Sequence, residues 1–442
     1  MTVEAKQKQR GVLPGVNRAV PPIIKDAVDF NVVLPLCEKH VLANGVEVYA
    51  LNIGTEELIM INWVFFAGNW FENKKAVASA CNYLLKNGTT AKTAFEINEH
   101  FEYYGSYLNR SCYSETSEIV LHCLNKHINE LLPVVAEIIS DSVFREEELD
   151  IHIQNSQQRL KVSLQKCEFV AGRLIDAQLF GQDHPYGTYN NLEDYAALTR
   201  EDLLDFYKEN YQHGKCVLFV AGKLPHDLIA GFDEHFGKLT LRNHRSGTHT
   251  INHTLQRAAE KKTQVLNDPL GVQSAIRIAR NFPNRHHPDF QKVMVLNNVF
   301  GGFFGSRLMG NIREDKGYTY GIYSYLLNHV QESGWMISTE AGRDVCEATI
   351  AEIYKEMKQL CEEEIDEEEL LMTRNFMIGT ILGDLDGPFQ VAARWKNLIL
   401  NDLDENYFYH GIQTIKTVSA KELMELANKY LRTEEFYQLV VV

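Results

Sequence analysis

The fourteen residues "IREDKGYTYGIYSY" (312–325) bring Arg313, a run of charge, a glycine and four tyrosines into one short stretch. Guanidinium and phenol groups are hydrogen-bond donors of the kind that binding and catalytic sites use. Taken alone, Arg313 is equally a well-solvated charge at a helix end, and the tyrosines are the packing and edge residues of a strand. Just upstream, "GGFFGSRL" (301–308) is rich in glycine. It lacks both the GK[ST] ending of a phosphate loop and the Rossmann spacing, so it reads as a helix-packing segment with Arg307 structural. "NRHHPDF" sets His286 and His287 side by side on a loop, where neighbouring side chains do not converge on one metal ion. His152 stands in a helix with no second ligand in view, and a lone histidine is read as structural. Eight cysteines, at 37, 81, 112, 123, 167, 216, 346 and 361, form no CxxC pair, which indicates free, mostly buried thiols. There is no GxSxG elbow and no histidine near Cys81 in sequence, which disfavours an independent serine or cysteine hydrolase.

The elements that position these residues occur twice. Leu198 to Gly222 lies without gaps on Val418 to Val442 at an offset of 220. Each copy has an N-cap residue (Thr199 or Ser419), an amphipathic helix, a polar turn and an apolar strand. Glu99 to Ser111 lies on Asn311 to Tyr323 at an offset of 212, with Gly105 opposite Gly317. Each of those is a helix end, a glycine and a tyrosine-rich strand. Strands such as Val46–Ile53 and Leu58–Gly68 precede long helical patterns such as His127–Ser140, and a helix around Arg159 precedes the strand "CVLFVAG". Such runs predict an α+β fold of two similar tandem domains, each with helices packed on a largely antiparallel sheet. The polar stretch Arg242 to Lys262 reads as their connection, giving domains at 1–241 and 263–442 with a linker at 242–262. A chain of 442 residues exceeds the roughly 250 to 300 that one core supports.

Composition is that of a globular protein, 45% hydrophobic and 23% charged. A formal charge of −15, from 44 basic and 59 acidic residues, repels phosphate backbones and argues against nucleic acid. No run reaches the roughly eighteen apolar residues of a membrane span. The first residues show no secretory pattern, so the expected compartment is the cytoplasm, or the periplasm if a leader has been removed.

Several stretches together resemble the zinc metallopeptidases of the insulinase or pitrilysin family, which includes the mitochondrial processing peptidase and the core subunits of the bc1 complex. They are "LANGVEVYALN", "KNGTTAKTAFEINEHFEYYGSYLN", "HPYGTYNNLEDYAALTREDLLDFYKENY" and the long segment from "GVQSAIRIARNFPNRHHPDF" through "GGFFGSRLMGNIREDKGYTYGIYS". In that family HxxEH on a first-half helix holds zinc and supplies the general base. Counting back from Gly88 and Thr89 in "ASACNYLLKNGT", Ser79, Asn82 and Tyr83 stand at those three positions. The family's third ligand is a glutamate on a later helix, yet "LDIHIQNSQQRLKVSLQK" contains none.

The family's second half carries an arginine and a tyrosine seven residues apart, and "IREDKGYTY" fits that frame with Arg313 and Tyr320. The resemblance implies that these two bind substrate and stabilise the carbonyl oxygen, while this chain has no metal site and no catalytic residue of its own. It further implies an HxxEH-containing homologous subunit as partner, zinc in that partner, and an extended peptide as substrate. The alternatives are a scaffold or assembly protein, and a homodimer that binds peptides without cleaving them.

Overall fold

The computed structural model describes residues 25–246 and 251–442. The first half runs β1 (Glu38–Val41), β2 (Glu47–Asn52), β3 (Leu58–Phe65), α1 (Val77–Leu84), α2 (Ala94–Tyr103), β4 (Tyr107–Cys112), β5 (Ser117–Leu124), α3 (Ile128–Asp141), α4 (Glu146–Ser163), α5 (Cys167–Phe180), α6 (Leu192–Ala196), α7 (Arg200–Tyr207), β6 (Lys215–Gly222), α8 (Leu228–His235) and β7 (Arg242–Asn243). The second runs β8 (Lys262–Val265), β9 (Gln273–Phe282), α9 (Phe290–Asn297), β10 (Thr319–Asn328), β11 (Ser333–Gly342), α10 (Cys346–Glu362), α11 (Glu367–Asp384), α12 (Pro388–Leu400), α13 (Glu405–Thr417), α14 (Ala420–Tyr430) and β12 (Tyr437–Val441).

The first sheet is ordered β1-β2-β6-β3-β5-β4, with β7 beside β6, and the second β10-β11-β9-β12-β8. β6 pairs parallel with β2 and antiparallel with β3, and β12 pairs in the same two ways with β8 and β9. Without β1 and β7 the two sheets therefore share one topology, and the duplication read from sequence extends to whole sheets. Its local signals are real as well. Thr199 and Ser419 form capping boxes with Asp202 and Glu422, each satisfying backbone N–H groups that a helix start leaves free. Gly105 and Gly317 both take left-handed backbone, with φ of +59° and +66°, a conformation that favours glycine.

Strand alternation sends side chains to two different cores. Trp63, Phe65, Leu218 and Val220 pack with the first half's helices. Their neighbours Val64, Val217 and Phe219 face the other way, onto Ile399 and Trp395 of α12. In the second sheet Ile276, Ile278, Trp335 and Ile337 join their own helices, while Ala275, Ala279, Met336 and Leu439 meet Ala171, Ile175 and Leu179 of α5. Each half thus lends a helix to the far face of the other's sheet. The α+β reading holds, with this exchange added to the helices expected on one face. The exchanged helices are themselves equivalent, since α4 and α11 begin 221 residues apart, as do α5 and α12.

Residues 28–35 also pack on the second half. Val32 and Leu34 join its core, Val28 N–H donates to Asn375 Oδ1 at 3.1 Å, and Trp395 Nε1 donates to the Pro35 carbonyl at 2.8 Å. The halves are clasped by polar contacts too. Lys396 Nζ reaches both oxygens of the buried Glu118, at 2.8 and 2.7 Å. Glu115 accepts from the Tyr186 hydroxyl and from Val330 N–H. A cavity of about 900 Å³ opens at this junction, lined by Trp70, His184, His253, His329 and Lys396 among others. Among the described residues no helix is long and apolar enough to cross a membrane.

Candidate functional site

Two places answer to the sequence reading, one in each half. The first is α1, whose residues Val77, Ala78, Ala80, Cys81 and Leu84 are buried. That packing leaves Ser79 and Tyr83, one turn apart, on the exposed side. The Ser79 hydroxyl donates back to the Ala76 carbonyl at 3.1 Å. Asn82 is buried, and its amide donates to the hydroxyl of Tyr211 at 3.2 Å. The Tyr83 ring lies under the Arg110 guanidinium, 5.1 Å from its centroid, and beside the His152 ring at 4.8 Å. Arg110, on β4, also donates to the Tyr83 carbonyl. One turn along α4 from His152, Ser156 Oγ lies 3.5 Å from His152 Nε2 and accepts from Arg159 at 3.3 Å.

This donor set does not fit zinc. Zinc is held by imidazole, thiolate or carboxylate ligands, whereas here stand a serine, a committed amide and a phenol ring that lies under a guanidinium. Burial, then the charges of Arg159 and Arg110, push His152 down to about 4. Burial also lowers Arg110, to about 10. Among the described residues no group of three or more His, Cys, Asp or Glu side chains is arranged to hold a metal ion. The position carries residues that sequence reasoning missed: Arg110, Ser156 and Glu72. The Glu72 carboxylate accepts from Ala78 N–H at 3.2 Å, and burial raises it to about 7. Arg110 and Ser156 come from separate elements, β4 and α4, and nothing in local spacing links them to α1.

The second place is the corner around Gly317. A π-helical turn over Met309–Asp315 carries Arg313, whose guanidinium lies 4.5 Å from the centroid of the Phe304 ring. After the glycine, β10 opens with an irregularity, because its register with β11 shifts between Thr319 and Ile322. Thr319 Oγ1 accepts from Gly321 N–H at 3.1 Å, and Thr339 Oγ1 donates to the Gly321 carbonyl at 2.9 Å, so the bulge is satisfied internally. The bulge turns Tyr320 outward, 94% exposed. Neither the Arg313 guanidinium nor the Tyr320 hydroxyl makes a hydrogen bond among the described residues.

The remaining candidates behave as structural groups. Arg307 Nε and Nη2 form a bidentate pair with Glu369, both bonds 2.8 Å. His286 is exposed, and His287 Nδ1 accepts from Asp289 N–H at 3.1 Å. The eight cysteines are unpaired, four of them buried. Burial raises the Cys81 thiol well above its usual value.

Comparison with known proteins places this geometry. The profile described as "Insulinase (Peptidase family M16)" matches residues 57–186, and that of "Peptidase M16 inactive domain" matches 197–377. An uncharacterized zinc protease of Rickettsia felis is 23% identical over 400 residues, spanning 88% of this chain and 93% of its own. The mitochondrial-processing peptidase subunit beta of Bos taurus is 24% identical over 385 residues, 82% of this chain and 76% of that one. Among solved structures, a peptidase M16 inactive domain from Pseudomonas fluorescens superposes with a TM-score of 0.82 at 20% identity, covering 92% of this chain and 98% of that one. A protease from Helicobacter pylori does so with a TM-score of 0.83 at 16% identity, covering 92% and 100%. With both profiles matched in order and the fold shared along nearly its whole length, the chain belongs to peptidase family M16.

Proposed function

We propose that this chain is the non-catalytic subunit of a two-chain M16 peptidase, whose partner carries HxxEH and the zinc ion. The observation that carries this reading is the asymmetry between the two corners. On α1, Ser79, Asn82 and Tyr83 are committed to packing, ring contacts and hydrogen bonds, with Arg110 set over Tyr83. On the second half, Arg313 and Tyr320 keep free donors. Hydroxide attack on an amide builds negative charge on the carbonyl oxygen, and a guanidinium with a phenolic hydroxyl supplies donors for that charge. The substrate is an extended peptide that adds to a sheet edge by main-chain hydrogen bonds, a mode with broad sequence tolerance. The outermost strands β4 and β10 offer such edges.

The test is turnover of an unfolded protein substrate by the complex captured on a tag on this chain. Arg313→Ala should lower kcat by about a hundredfold to a thousandfold, the range for one preorganised donor. Tyr320→Phe should lower it less, and both complexes should still assemble. Unchanged turnover in both variants would sink the proposed role.

A further inference from the structure

The segment "GGFFGSRL" is held at two points with no chemical task yet assigned to what lies between them. Phe303 stacks on Phe376 of α11, centroids 4.4 Å apart. Gly305 leaves room for that ring, since a Cβ there would stand 2.8 Å from it. Arg307 grips Glu369 of the same helix through its bidentate pair. Between these anchors Phe304 faces outward, 56% exposed, so its ring gains little from burial. The contact it does make is with Arg313. That guanidinium has no carboxylate partner and no hydrogen bond among the described residues, so the ring face is what restrains a long, rotamer-rich side chain.

We propose that Phe304 is a positioning residue, whose ring, on a backbone held at Phe303 and Arg307, seats the Arg313 guanidinium before substrate arrives. The inference rests on the role of Arg313 proposed above. Preorganisation acts on an interaction that strengthens in the transition state, so its loss falls on kcat rather than on KM.

The experiment uses the complex captured on the tagged chain, with Phe304→Leu, Phe304→Tyr and Arg313→Ala variants. Turnover is read beside the rate at which phenylglyoxal modifies Arg313, followed by mass spectrometry of the isolated chain. Phe304→Leu should lower kcat roughly two- to fivefold with KM unchanged, the size of an exposed cation–π contact. It should raise Arg313 modification by a similar factor, while Phe304→Tyr keeps both near wild type. If Phe304→Leu changes neither quantity while Arg313→Ala lowers turnover, the seat is overturned and the role of Arg313 stands. If Arg313→Ala leaves turnover unchanged, the reading of the site falls and the inference with it.

Discussion

At the scale of single residues, the surroundings of Ser79, Asn82 and Tyr83 decide whether α1 could hold a metal ion. Arg110 lies over Tyr83 and donates to its carbonyl, so a fixed positive charge stands beside any ion placed there, and like charges in a partly buried site repel strongly. Combining Ser79→His, Asn82→Glu and Tyr83→His should therefore not suffice for tight zinc binding. Adding Arg110→Ser should raise zinc affinity at least about tenfold, with His152 near enough to serve as a further ligand. Titration calorimetry of both variants checks this, and equal affinities would contradict the blocking role of the guanidinium. The absence of HxxEH was legible because a helical motif is a local pattern in the sequence. Arg110 and Phe304 were not legible, since both act through ring faces brought together from separate segments.

At the scale of elements, the duplication makes paired predictions possible. Thr199→Ala and Ser419→Ala each remove a capping box and should each cost about 1 kcal/mol in denaturant unfolding. Their effects should add, because the two caps sit in different halves. Gly317→Ala forces a side chain into φ of +66° and should cost about 1 kcal/mol. It should also lower turnover by shifting the strand that carries Tyr320, whereas Gly105→Ala should cost similar stability with a smaller effect on kcat. The paired caps and glycines were readable because each is a short-range signal at a fixed offset. The bulge after Thr319 was not, since it depends on Thr339 of the neighbouring strand.

At the scale of the whole molecule, the exchange of α5 and α12 makes the halves mutually dependent. Expressed alone, either half exposes a sheet face that the other's helix covers. Co-expressed chains 1–246 and 251–442 should assemble one to one, while each alone should aggregate, as expression and size-exclusion chromatography can show. Which sheet α5 covers could not be read from the sequence. A helix's apolar side says that it is buried and not against what.

The junction also predicts acid sensitivity. Burial holds His184 and His329 down to about 4, with neighbouring histidines adding to the effect at His184, so both are neutral in the fold. As pH falls from about 6.5 towards 4, the unfolded chain takes up protons that the folded one does not, and stability falls over that window. His329→Phe keeps an aromatic ring against Tyr186, which the histidine stacks on at 4.0 Å. It should flatten the dependence of melting midpoint on pH between 6.5 and 4, and an unchanged slope would contradict the assignment.

The proposed function rests on division of labour between two chains. The most direct measurement is capture of the tagged protein from its native lysate, with mass spectrometry of what co-elutes at near-equal amount. One M16 homologue carrying HxxEH is expected. Elution of this chain alone, or only with unrelated proteins, would contradict it.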